Sequence, residues 1–178
     1  MKVLLLRHTQ TNYNVLHLVN SDPSVDVHLT KAGIKHANEL AEKLKETDFK
    51  GIFISELART KQTADIINKY HRVPVTIDAR LNDNRSGYEG RPTMEYIHAL
   101  NASPDKWTVR LRDGESLADV KARITDFIQS LHATPEQSIL IVTSEIIIQT
   151  FYGIVKKLTF EESFALGVDN GSYIELEI

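Results

Sequence analysis

The sequence predicts an α/β fold: a three-layer α/β/α sandwich around a mostly parallel central sheet. Three observations predict it. Val3 to Leu6 is a continuous apolar run of strand length, and Ser138 to Thr143 carries another. Such runs suit strands buried on both faces of a parallel sheet. Between them, Leu117, Val120, Ile124, Phe127, Ile128 and Leu131 recur at helical spacing. Strand-like and helix-like segments then alternate along the chain, with no repeat, linker or low-complexity stretch. Residues 1–178 therefore read as one domain.

The first strand ends in Arg7-His8, at the carboxyl end where open α/β sheets place their ligand crevices. Residues 9–30 are rich in Asn, Ser and Asp with weak periodicity, and read as a long polar loop of functional length. Thr30 is placed to cap a helix over 31–47, with Ile34, Ala37, Ala41 and Leu44 on one face. A second buried strand at 51–55 leads into a helix at 57–70, with Ala64 and Ile67 inward, and 74–77 reads as a third strand. Residues 78–114 are irregular, with one short helix at 93–101. Ser116 caps the helix that runs to 132, and Asp119 completes a capping box. The fourth strand at 138–143 is followed by a helix at 145–157, and 173–176 closes the sheet.

Composition narrows the function classes. With 42% hydrophobic and 25% charged residues the chain is an ordinary globular protein. A net charge of -3 gives no electrostatic reason for a nucleic-acid or anionic-membrane partner. The absence of cysteine excludes disulfides, thiol nucleophiles and thiolate metal sites. The N-terminal apolar run is too short for a signal peptide or a membrane span, so a cytoplasmic location is expected. His17, His28, His36, His71, His98 and His132 show no metal-ligand spacing, so no metal and no cofactor are expected.

Three strand ends carry the chemistry. The first ends in Arg7-His8, the second in Ser55-Glu-Leu-Ala-Arg59-Thr, and the fourth in Val142-Thr143-Ser144-Glu145. Parallel strands would bring these ends to one crevice. There, two guanidinium forks would suit a phosphoryl group, and a neutral histidine beside them would attack phosphorus. Helix N-termini and fixed arginines would hold the developing charge.

These segments resemble the histidine phosphatase superfamily, also called the phosphoglycerate mutase-like family. Arg7-His8-Thr9-Gln-Thr11-Asn-Tyr-Asn14 is similar to its Arg-His-Gly-Glu-Thr-x-x-Asn signature. Further blocks follow in family order: Leu29-Thr30-x-x-Gly33-x-x-x-Ala37, Ser55-x-Leu-x-Arg59-Thr-x-Gln62-Thr63-Ala64, Leu81-Asn-Asp83 with Gly87-Tyr-Glu89-Gly90, Gly114-Glu115-Ser116-x-x-Asp119, and Ile141-Val-Thr143. The resemblance implies a phosphoglycerate mutase-like fold and a small phosphorylated substrate. It makes His8 the phosphorylated residue, Arg7 and Arg59 the clamp, and Asp83 the general acid, with Glu89 as the rival acid. Thr9, Asn14 and Thr143 would add phosphate contacts.

Three positions depart from the family pattern. Thr9 stands in place of the usual glycine. Asp83 stands in place of a glutamate, with the following Gly-x-Glu-Gly stretch one residue short. Ser144 stands where the second histidine is expected, and its neutral hydroxyl brings no positive charge to a phosphoryl group. Ser144 is equally suited to cap the following helix. The expectation is a phosphomonoester phosphatase impaired by Ser144. The alternatives are a pseudophosphatase that binds a phospho-ligand with little turnover, and a phosphoglycerate mutase-type phosphotransferase. Specificity is expected within 78–114, where Arg85, Arg91, Tyr96, Trp107, Arg110 and Arg112 are candidates to meet a second anionic or aromatic group.

Overall fold

The computed structural model describes residues 1–132 and 138–178. Among these, strands β1 (Lys2–Arg7), β2 (Gly51–Ile54), β3 (Val75–Ile77), β4 (Ser138–Thr143) and β5 (Tyr173–Glu177) form one sheet, in the order β3-β2-β4-β1-β5. The first four run parallel, and β5 pairs antiparallel with β1 at the edge. The helices are α1 (Asn12–Leu16), α2 (Lys31–Leu44), α3 (Ala58–Asn68), α4 (Thr93–Asn101), α5 (Leu117–Leu131), α6 (Glu145–Lys156) and α7 (Phe160–Phe164). This is the mostly parallel α/β sandwich that the apolar runs predict.

The runs are continuous because both faces of the central strands are covered. Val3 and Leu5 of β1, with Ile139 and Ile141 of β4, pack on Ile124 and Phe127 of α5 and Ile148 and Phe151 of α6. On the other face, Leu4, Leu6, Leu140 and Val142 meet Leu40 and Leu44 of α2 and Ala64 and Ile67 of α3. Each fully buried aliphatic side chain contributes about 1.5–3 kcal/mol, which makes these two layers the main source of stability.

Local signals act where expected. Thr30 caps α2 by accepting from the Gly33 amide at 3.0 Å. Gly33 admits no side chain, because a Cβ there would lie 2.1 Å from the Gln10 carbonyl oxygen. Ser116 and Asp119 form a full capping box on α5.

Three expectations need correction. The buried face of α2 runs through Gly33, Ala37, Leu40, Ala41 and Leu44, whereas Ile34 is 45% exposed. The close contact of Gly33 with Gln10 sets that rotation. The stretch 9–30 is not all loop: α1 starts there on a capping box between Thr11 and Asn14. At five residues it is too short to show a helical period. Ser144 has the extended conformation of an N-cap, yet its hydroxyl caps nothing. Two further short elements, α7 and a 3₁₀ turn at Ala79–Leu81, carry no periodic signal either.

Candidate active site

Strand register assembles the site. β1 and β4 pair with Leu6 opposite Val142 and Arg7 opposite Thr143, and the His8 amide donates to the Thr143 carbonyl at 3.0 Å. β2 pairs with β4 so that Ile54 lies opposite Val142. Three carboxyl ends thus finish at one level, and α3 starts four residues beyond β2, with Arg59 in its first turn.

His8 is buried, and its two ring nitrogens have distinct partners. Nδ1 lies 2.8 Å from the Thr9 carbonyl oxygen, which only accepts, so Nδ1 carries the proton. Nε2 therefore has the lone pair, and it accepts from Nε of Arg59 at 3.0 Å. Burial, then the Arg59 charge, holds the His8 pKa well below its ordinary value of 6.5. The ring is neutral, with Nε2 in the state a nucleophile needs.

That shift has a consequence for stability. The unfolded chain takes up a proton at His8 as pH falls through about 6.5, whereas the folded chain does not. Stability contributed by neutral His8 is therefore present above that pH and lost below it. Between pH 7.5 and 5.5 wild type is expected to lose more unfolding free energy than His8→Gln. Urea unfolding of both proteins at the two pH values checks it, and equal losses would contradict a neutral, buried His8.

Arg59 is 4% exposed and fully engaged. Besides His8, its guanidinium donates to the Asn20 side-chain oxygen, to the Asn20 carbonyl at 3.0 Å, and to Asp83 Oδ2 at 3.0 Å. Burial lowers its pKa and Asp83 opposes that shift. Arg7 donates to the Val168 carbonyl at 2.5 Å and pairs with Glu145 at 2.8 Å. Two buried polar atoms here lack partners among the described residues, Nε of Arg7 and Oγ of Ser144. Both residues line a cavity of about 290 Å³, together with His8, Asn14, Arg59 and Asp83. Unpaired buried donors cost about 1–3 kcal/mol each, so a site that keeps a guanidinium N–H and a hydroxyl unpaired beside Arg59 fits an anion.

The other expected residues lie as follows. Asn14 is on the cavity wall, with its carbonyl side spent on Thr11 of the capping box. Asp83 also faces the cavity, paired to Arg59 with Oδ1 accepting from the Asn84 amide. Its loop is fixed from behind: Glu115 bonds the Arg85 amide, and Arg123 bonds Glu115. Glu89 is outside the cavity, because its carboxylate accepts from Asn20 and from the amides of Ser21 and Asp22. Thr9 and Thr143 are also off the wall. Thr9 packs on Thr63 of α3, and the Thr143 hydroxyl donates to the Leu81 carbonyl at 2.7 Å, tying β4 to the Asp83 loop.

Of the specificity candidates, Tyr96 lines the cavity and bonds Asn84. Arg85, Arg91 and Arg112 line a neighbouring recess, Arg110 pairs with Asp119, and Trp107 stacks on Phe160. Asn20 and Glu145, which orient the two arginines, escaped the sequence reading. The only signals were their places in the loop after β1 and at the start of α6.

A parallel sheet that brings a neutral histidine and two arginines together at its strand ends defines an α/β protein suited to an oxyanion. The chain belongs to the histidine phosphatase superfamily (branch 1), whose family model matches residues 3–178. It is 32% identical over 147 residues to "Probable phosphoglycerate mutase GpmB" of Proteus mirabilis, over 78% of this chain and 66% of that one. It is also 32% identical over 133 residues to "Fructose-2,6-bisphosphatase TIGAR" of Xenopus tropicalis, over 71% of this chain and 48% of the relative. The matched region thus spans less than two thirds of either relative. Among solved structures, the α-ribazole phosphatase from Shigella flexneri superposes with a TM-score of 0.87 at 25% identity, covering 100% of this chain and 91% of that one. A mycobacterial glucosyl-3-phosphoglycerate phosphatase in complex with VO3 gives 0.83 at 26% identity, covering 99% and 90%.

Proposed function

We propose that this chain is a phosphatase that hydrolyses a small phosphomonoester through a phosphohistidine on His8, at a rate lowered by Ser144. The observation that carries the reading is neutral Nε2 of His8, 3.0 Å from Arg59, in a cavity shared with the unpaired Arg7 Nε and Ser144 Oγ. An arriving phosphoryl oxygen takes the Arg59 Nε–H, which frees the Nε2 lone pair. The same oxygens draw the Arg59 fork off Asp83, which takes the proton that a monoanionic ester carries. Nε2 then bonds phosphorus as the ester P–O bond breaks, and Asp83 gives that proton to the leaving oxygen. Asp83 next accepts a proton from water, which attacks the phosphohistidine and releases phosphate. Arg7 and Arg59 hold the equatorial oxygens throughout. Asp83 is preferred to Glu89 because the latter's oxygens are committed to the loop at Asn20–Asp22.

Two observations favour a second reading, slow turnover with retained phosphate binding. Ser144 offers no charge, and Glu145 competes for Arg7. Hydrolysis of p-nitrophenyl phosphate discriminates the two. The phosphatase reading expects measurable release that persists in EDTA and disappears in His8→Ala. Loss on chelation with recovery on Mg²⁺ would replace the phosphohistidine route by metal-assisted hydrolysis. Phosphate binding with no release beyond that of His8→Ala would select the binding module.

A further inference from the structure

We infer that the site takes one phosphoryl group on an uncharged, apolar leaving group and disfavours substrates with a second anionic group. This rests on the phosphate-binding reading of Arg7, His8 and Arg59, and it concerns what else the cavity accepts. Among the described residues lining the cavity, the cations are Arg7 and Arg59, and the carboxylates are Asp83 and Glu145. Each arginine is already paired to one carboxylate, at 2.8 Å for Arg7 and 3.0 Å for Arg59. Both guanidinium groups are needed for the phosphoryl oxygens, so no cation remains for a second anion.

The rest of the wall carries no charge: Leu18, Val19, Val27, Tyr96, Ile97 and Ile146 form its apolar part, and neutral polar residues such as Thr11, Asn14, Asn84, Thr93 and Gln149 complete it. The apolar part suits an aromatic or aliphatic group, and the neutral polar residues bring a carboxylate or second phosphate no opposite charge in exchange for its hydration. At about 290 Å³ the cavity is at the small end for ligand sites. Further arginines, Arg85, Arg91, Arg112 and Arg123, stand in a neighbouring recess that shares Asp83 with this cavity and is also lined by Glu89. There they share the wall with Asp22, Glu56, Asp113 and Glu115. A second anion directed that way would have to pass carboxylates first, and like charges at close range are strongly unfavourable.

Binding of three non-hydrolysable probes to the full chain tests this independently of turnover: inorganic phosphate, benzylphosphonate and 3-phosphonopropionate, measured by calorimetry. Benzylphosphonate is expected to bind at least about tenfold more tightly than 3-phosphonopropionate. Glu145→Gln, which removes one opposing carboxylate, is expected to narrow that ratio. If phosphate binds but the two phosphonates bind equally, or the carboxylate probe binds tighter, the substrate class is overturned and the clamp stands. An unchanged ratio in Glu145→Gln would likewise overturn the electrostatic basis of the selection. If none of the three binds, the clamp itself fails and the selectivity falls with it.

Discussion

Ser144→His is expected to raise phosphomonoester turnover by about 10²–10³-fold, the usual value of one preorganised donor at a developing oxyanion, or roughly 2.7–4 kcal/mol. Position 144 is suited to the exchange. It follows β4 directly, lines the cavity and is 4% exposed, and its extended backbone accommodates any L residue. Among the described residues the serine hydroxyl caps no amide and finds no partner, so its removal costs no cap hydrogen bond. The larger ring enters the cavity that phosphate would share. Steady-state kinetics of the variant, alone and combined with His8→Ala, check the expectation. Gain of activity that vanishes with His8→Ala fits the proposed roles, whereas a folded, phosphate-binding Ser144→His with unchanged turnover would leave position 144 outside the chemistry.

Arg59→Met is expected to have the second large effect, on both stability and anion binding. The side chain joins His8, Asn20 and Asp83 from a buried position. Its loss leaves Asp83 without its ion-pair partner and releases the loop at Asn20. Removing one member of a buried pair costs about 3–5 kcal/mol, and Asp83, with 23% side-chain exposure, puts the figure at the lower end. Wild type at phosphate 100 times its Kd should gain about 2.7 kcal/mol of stability, and Arg59→Met should gain almost none. Arg59→Lys separates charge from geometry: it restores a cation without the fork that serves Nε2 and Asp83 together. A phosphate-induced Tm shift in Arg59→Met equal to that of wild type would remove Arg59 from the clamp.

The fold was legible because its signals are local and redundant. The apolar run of β1 is buried on both sides, and α5 has both a six-residue apolar face and a capping box. The convergence of Arg7, His8, Arg59 and Ser144 followed from strand direction alone, since parallel strands align their carboxyl ends. What escaped was whatever depends on a contact without a period. Asn20 matters only because the loop after α1 folds back over Arg59. Glu145 reads as a favourable acid in the first turn of α6, and only the packing of β1 beside β4 reveals it as the partner of Arg7. Thr143 likewise resembles a phosphate contact until the position of Leu81 is known. The arginines of 78–114 were placed by charge, whereas their carboxylate neighbours decide what they meet.

Phosphoryl transfer to His8 is most directly tested by rapid-quench labelling with a ³²P-phosphomonoester at enzyme excess, followed by peptide mapping. A transient label is expected on the peptide containing His8, labile in acid and stable in base, absent in His8→Ala and formed faster in Ser144→His. A base-labile label on Ser144, or hydrolysis of the ester with no enzyme-bound phosphate at any time, would contradict it.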